Sequence, residues 1–293
     1  MRHLVLVSIV WGASFGLLKH ALAGVDPDLV NALRMGMALL VFLPALLRST
    51  PRLAADWEFV ALGAVQFGLM YSLYNRSFAL LQGHEVALAT LLTPLYVSLL
   101  DDLLQRRFRW RFLAAAILSV GGAALCVGAG RIEGALTGLA LLQLANLCFA
   151  VGQVWYRRAF RRHPGKGDFE AMAWAYVGGF AVVLAAALPK AGLVAELSAT
   201  HWLTLAWLGI VASGACFFWW NRGARQVNAG VLAVMNDLKI PLGVAFSLLV
   251  FREAANWPRL LAGTSVIAAA LWLASREGAR TTAPSAFRTS AAA

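Results

Sequence analysis

Charge is scarce in this chain. Of its 293 residues only 13% are Asp, Glu, Lys or Arg, about half of the ~25% typical of soluble domains. A soluble core of this size needs a polar coat that the sequence does not supply, which excludes an ordinary soluble enzyme or binding module. Cysteine is scarcer still. Cys126, Cys148 and Cys216 all fall in apolar runs, with no CxxC spacing and no nearby histidine cluster, and this argues against a disulfide framework or a zinc site. Walker A, HExxH and GxGxxG sequences are absent, and Gly165-Lys166-Gly167 has neither the spacing nor the Ser/Thr of a phosphate loop. Direct drive by nucleotide hydrolysis is therefore disfavoured, and no cofactor or metal is expected.

Apolar sequence, by contrast, is abundant: 60% of the residues are hydrophobic and the mean hydropathy is +0.71. Runs of about 20 apolar residues, long enough to cross a bilayer core, occur at 4–23, 29–47, 59–81, 86–104, 112–130, 135–155, 169–188, 202–220, 229–251 and 260–275. The chain reads as an all-α integral membrane protein with ten transmembrane helices. The net charge of +11 follows this plan. If each span reverses direction, most of the Lys and Arg fall on one side, among them Arg106, Arg107, Arg109, Arg157, Arg161 and Arg225, while Arg131, Lys190, Arg252 and Arg259 fall on the other. The positive-inside rule then places both termini in the cytoplasm. The basic balance reports topology, and no nucleic-acid partner is expected in the absence of a recognition motif.

Residues 1–23 imitate a secretory signal, with Arg2 and His3, an apolar stretch, and Ala21-Leu22-Ala23 as a cleavage site. Lys19 and His20 interrupt it, and its loss would leave nine spans and spoil a duplication. In that duplication Tyr74-Asn75-Arg76 is echoed by Trp220-Asn221-Arg222, and Pro94-Leu95, Val97, Trp110 and Leu113 by Pro241-Leu242, Val244, Trp257 and Leu260. The offset is near half the chain. Each half holds five spans, and because five is odd the second half enters the membrane from the opposite side. The expected units are 1–133, an inverted 134–275, and a disordered cytoplasmic tail at 276–293. Inverted repeats are an architecture of secondary transporters with substrate held near the midplane.

Trp11-Gly12-Ala13-Ser14-Phe15 in the first span, Ala32-Leu33-Arg34 in the second, and Pro-containing fourth and ninth spans followed by Trp-containing fifth and tenth starts give a more specific pattern. In these features the chain resembles the drug/metabolite transporter superfamily, EamA type, from Leu4 to Ser275. The resemblance implies a ten-helix exporter-like fold, a central cavity lined by the first four helices of each repeat, and peripheral fifth and tenth helices. Those two are bland in sequence, with Ser119 in one and Thr264 and Ser265 in the other, and suit a scaffold or a homodimer contact.

Polar residues within spans are costly unless they face protein or water, about 2.5–3.5 kcal/mol for a central charge on insertion scales. The candidate substrate-binding residues are Trp11, Ser14, Gln66, Tyr71, Thr90, Asn146, Gln153, Phe217, Asn236 and Asp237. Pro94 and Pro241 are candidate bending points, since proline frees the carbonyl four residues earlier. Asp237 either lines the substrate path or pairs with Arg34, Lys19 or Lys239. Asp237 and Lys239 lie two positions apart and so point about 200° away from each other on a helix. Thr90 is the uncharged counterpart of Asn236. Trp219, Trp220, Trp155 and Tyr156 read as interfacial belt residues. Gly12-Ala-Ser-Phe-Gly16 matches GxSxG, but a helix is not the strand-to-helix turn a nucleophilic serine needs.

The expected function is alternating-access export of small metabolites across the bacterial inner membrane, most naturally amino acids, with aromatic ones favoured by the aromatic lining. The partners are the lipid bilayer and a small-molecule substrate. The alternative, a membrane-embedded enzyme acting on a lipid or isoprenoid, would need a convergent set of His or carboxylate groups that the sequence does not assemble.

Overall fold

The structure is a computed structural model, and it describes residues 1–22, 24–49, 53–78, 80–81, 83–127, 136–250 and 256–282. These form ten helical rods and, among the described residues, no strand. They are α1 (Arg2–Ala21), α2 (Pro27–Arg48), α3 (53–78), α4 (83–105), α5 (Trp110–Val127), α6 (Leu136–Arg162), α7 (Asp168–Ala187), α8 (Ala199–Ala224), α9 (229–250) and α10 (Trp257–Thr282). Seven helical segments among the described residues are long and apolar enough to span a bilayer. The tail expected to begin at 276 is helical through Thr282, and 283–293 lie outside the described residues.

Four rods depart from a simple helix, and they correspond between the halves. A π-helical run interrupts α3 at Ala64–Leu69 and α8 at Trp207–Ala215. Where 86–104 and 229–251 read as continuous spans, α4 is split into Gly83–Thr90 and Thr93–Gln105, and α9 into Ala229–Met235 and Lys239–Val250. The prolines explain the splits, because neither Pro94 nor Pro241 has an amide to donate to the preceding turn. The Thr90 carbonyl takes the Thr93 hydroxyl at 2.8 Å instead. The Asp237 carbonyl takes the Ile240 amide at 2.9 Å.

The packing exchanges when one half is substituted for the other. α1 packs on α9 as α6 packs on α4, α2 on α8 as α7 on α3, and α3 on α6 as α8 on α1. α5 and α10 pack on each other, crossing at Gly122 and Gly263. A Cβ at either glycine would come within 2.8 Å or less of the other's carbonyl oxygen, so the crossing is reciprocal. The outer face of this pair keeps Ile117, Leu118, Leu261 and Trp272 exposed, suited to lipid.

The arginine-rich end is knitted by ion pairs. Arg109 joins Asp101 and Asp102 at 2.6 Å, Arg162 and His163 join Glu58, Lys166 joins Asp56 and Glu170, and Arg225 joins Asp168. At the other end Lys190 holds Asp26 and Asp28 at 2.8 and 2.7 Å.

Candidate functional site

The two π-helical runs and the break of α9 border one aromatic cluster. Trp11 of α1 lies 4.9 Å from Phe217, 5.0 Å from Trp220 and 6.1 Å from Phe149, between ring centroids. Phe67 and Tyr71 of α3 reach Phe217 at 5.0 and 6.2 Å. α1 and α3 of the first half and α6 and α8 of the second therefore meet here. Trp11 is fixed by its indole, which donates to the Ala212 carbonyl at 2.8 Å, within the π-helical run of α8. Such runs distort the regular ladder and recur at functional sites.

Arg34 enters from α2. Its Nη2 donates to the Tyr71 hydroxyl at 3.0 Å and to Ser213 at 3.1 Å, and its guanidinium lies 4.6 Å from the Tyr71 ring centroid. Tyr176 donates to the Ser213 carbonyl at 2.5 Å. The Arg34 Nη2 is thus occupied by neutral partners while its buried Nε has none among the described residues, and among the described residues no ion pair joins Arg34 to Asp237. The expected pairing with Arg34 is not formed for a geometric reason: Asp237 faces α5, where the Ser119 hydroxyl donates to it at 2.8 Å. Asp237 is 1% exposed. Lys239, the first residue after the break, turns to the aromatic cluster, with Nζ 6.0 Å from the Trp11 ring centroid and 5.9 Å from that of Phe149. The side chain of Lys19 lies outside the described residues.

The amide candidates serve mainly as bridges. Gln66 and Asn221 pair across α3 and α8 at 3.1 Å, and Gln153 and Asn236 pair across α6 and α9 at 3.1 Å. Asn146 donates to the Ala89 carbonyl at 3.0 Å, beside the break that follows Thr90. Ser14 donates to the Val10 carbonyl and accepts from Trp207. Of the ten candidates, the structure brings Trp11, Tyr71 and Phe217 together in one cluster, sets Gln66, Asn146, Gln153 and Asn236 between helices, and turns Asp237 toward α5.

Three residues went unrecognised in the sequence or were given another role. Trp220 and Tyr156, read as belt residues, are 1% and 0% exposed; Trp220 belongs to the cluster and Tyr156 packs on Phe59 and Phe160. Lys239 was considered only as an ion-pair partner, although its opposition to Asp237 on the helix already separated the two.

A buried aromatic centre bracketed by broken helices from two exchanged halves, within a multi-pass bundle, belongs to a transporter of small molecules. A profile of the EamA-like transporter family matches residues 3–128 and 136–275. The "Probable biotin transporter" of Pseudomonas aeruginosa is 42% identical over 283 residues, covering 93% of this chain and 96% of the relative. The "Biotin transporter" proteins of Salmonella typhimurium and Escherichia coli K12 are each 38% identical over 277 residues, covering 93% of this chain and 92% of each relative. A solved crystal structure superposes with a TM-score of 0.73 at 20% identity, covering 94% of this chain and 98% of its own, and supports the fold alone. The chain belongs to the EamA-like transporter family and is a multi-pass inner-membrane protein. The curated relatives are named for biotin, so the expectation of amino acids as substrate loses its support. The geometry gives a physical reason as well. An amino acid needs an anion for its ammonium, yet the charges beside the cluster are the cations Lys239 and Arg34, and Asp237 is turned to Ser119.

Proposed function

We propose that the protein moves biotin across the inner membrane by alternating access, with its arginine-rich end and both termini in the cytoplasm. The two units are 1–133 and the inverted 134–275. The aromatic cluster joining Trp11, Phe149, Phe217 and Trp220 carries this reading. Flat apolar walls suit a compact fused bicycle, and the amide pairs beside them can exchange hydrogen bonds with a ureido group. The names of three curated relatives aligned over nearly the whole chain favour biotin over an aromatic amino acid. Pro94 and Pro241, at the two breaks, supply the bending points on which the halves rock, and the ion pairs of the arginine-rich end must part for the site to open there.

Counterflow in proteoliposomes tests the proposal. Vesicles loaded with unlabelled biotin are expected to accumulate labelled biotin saturably, whereas vesicles loaded with Trp or Phe do not accumulate label. Saturable exchange of Trp or Phe without exchange of biotin would sink it. Trp11→Ala, which removes the ring shared by most of the cluster's contacts, is expected to lower kcat/KM for biotin by roughly 10- to 100-fold.

A further inference from the structure

Lys239 and Trp220 share a property that the transport reading does not use: each presents a donor with no acceptor. No described oxygen lies within hydrogen-bonding or ion-pair distance of the Lys239 ammonium, whose neighbours are the Trp11 and Phe149 rings. Trp220 is 1% exposed, and its indole N–H has no partner among the described residues. Its ring lies against the same two side chains, 5.0 Å from Trp11 and 6.4 Å from Phe149. The nearest carboxylate along the chain, Asp237 in the break, interacts with Lys239 electrostatically but makes no hydrogen bond or salt bridge to it, its oxygen being taken by Ser119. The α1 side chains at 13 and 15–20 are outside the described residues, and none of them is acidic.

A cation in a membrane interior is costly unless it is compensated. Aromatic faces compensate it in part, and an anion does so more fully. Two donors, one of them charged, both facing rings from α1 and α6, call for an acceptor-rich ligand with an apolar body. Lys239 also opens the second part of α9 directly after the break, and α1 crosses it closely there: a Cβ on Gly12 would lie 3.1 Å from the Lys239 carbonyl and 2.9 Å from the Gly243 nitrogen. The approach sets the Lys239 backbone against α1, one residue from Trp11.

We propose that Lys239 is the carboxylate anchor of the substrate site, with the Trp220 indole as a second donor, so that the transported species is a free monocarboxylate and not its ester or amide. The inference rests on the reading of this cluster as the substrate site. Both donors belong to the second half, and the Trp11 ring of the first half lies beside each of them, so a substrate held there contacts α1 across the boundary between the halves.

Biotin and its methyl ester are compared as competitors of labelled-biotin counterflow in the wild type, Lys239→Gln, Lys239→Arg and Trp220→Phe proteins. Each protein is first shown to be monodisperse in detergent. In the wild type the acid is expected to compete on the order of 10- to 100-fold better than the ester, from loss of one charge-assisted hydrogen bond. That ratio is expected to fall to about 1 in Lys239→Gln, to be largely kept in Lys239→Arg, and to fall by less than about 10-fold in Trp220→Phe. A folded Lys239→Gln protein that transports biotin with the wild-type acid-to-ester ratio overturns the anchor and leaves the transport reading standing. If the wild type does not exchange biotin, the transport reading fails instead. The anchor is then judged by thermal stabilisation of the detergent-solubilised protein with a panel of apolar carboxylic acids and their primary amides. Stabilisation selective for acids and lost in Lys239→Gln upholds it, and any other pattern overturns it.

Discussion

α4 and α9 are counterparts in the two halves, both broken where a proline withdraws its amide, yet they place their charges differently. The break in α4 is neutral: Thr93 closes on Thr90, while Gln143 and Asn146 of α6 satisfy the Ala89 carbonyl. Glu85 lies buried in the first turn of α4, and Asp101 and Asp102 sit at the arginine-rich end and hold Arg109. The break in α9 carries its charges within it, with Asp237 turned to the scaffold helix α5 and Lys239 to the aromatic cluster. Duplication thus supplied two equivalent kinks, and the halves diverged in what each kink does. One fastens the bundle's end, and the other brings a cation to the centre.

Breaking the fastened end should have the largest effect on stability. Asp102 is 5% exposed and accepts both the Arg109 backbone amide at 2.9 Å and its Nε at 2.6 Å. Asp102→Ala leaves Arg109 with Asp101 and some contact with solvent, and removes the acceptor of its backbone amide and Nε. The expected cost is about 2–4 kcal/mol, somewhat below the ~3–5 kcal/mol of a fully buried pair, read as a lower melting temperature in detergent. An unchanged melting temperature would mean that Asp101 alone fastens this end.

Asp237 sharpens the contrast within α9. Asp237→Ala is expected to cost about 1–3 kcal/mol by leaving the buried Ser119 hydroxyl without its acceptor, whereas Asp237→Asn, which keeps an acceptor there, costs less than about 1 kcal/mol. Neither should alter the KM for biotin, because the side chain faces α5. If Asp237→Asn raised KM as much as Lys239→Gln, the assignment of opposite roles to these two residues would fail.

The prolines test whether the two kinks share the work of opening. Pro241→Ala is expected to lower kcat by about 10-fold with little change in KM, since a straighter α9 resists the movement between states. Pro94→Ala should lower it less, because the Thr93 hydroxyl already holds the Thr90 carbonyl and retains the neutral kink. Equal losses would mean that the halves rock symmetrically despite their different charges.

The all-helical membrane plan was legible in the sequence, because hydropathy reports it directly, and Trp11, Tyr71 and Phe217, singled out there, meet in one cluster. The expected separation of Asp237 and Lys239 by about 200° assumed a continuous helix, which the break at 236–238 interrupts, and the sequence did not tell which of the two faces the centre. That depends on α5 carrying Ser119 on one side of α9 and on α1 and α6 carrying rings on the other, a matter of tertiary packing. The π-helical runs had no sequence signal at all. Trp220 was misread because indoles also collect at membrane interfaces, and only its neighbours distinguish a cluster tryptophan from a belt one. Gln66 and Gln153 were equally ambiguous: an amide at membrane depth satisfies another amide as readily as a substrate.

The smallest expected effect concerns the opposite end, where Asp26 caps α2 by accepting the Asp28 and Leu29 amides and meets Lys190. At the start of α7, where Gly167 takes the cap position, Asp168 meets Arg225 and Tyr156 at the arginine-rich end. Partial burial pushes the Asp26 carboxyl up, but Lys190 and the two amides outweigh it and hold the group below its ordinary 3.8. A carboxyl lowered in the folded state adds stability that is fully present above its unfolded value and is lost as the pH falls through the folded one. Asp26→Asn keeps a capping oxygen but loses the charge, and an exposed pair of this kind contributes about 0.2–1 kcal/mol. The melting temperature of Asp26→Asn should therefore lie slightly below that of the wild type by a constant amount from pH 5 to 8, using this ordinary range as a plateau, with the gap closing below the ordinary carboxyl value. A gap that changed between pH 5 and 8 would show that another group titrates against this pair. A constant gap means that any pH dependence of transport in that range arises elsewhere in the molecule, and directs attention to the charged break of α9 over the outer clamp.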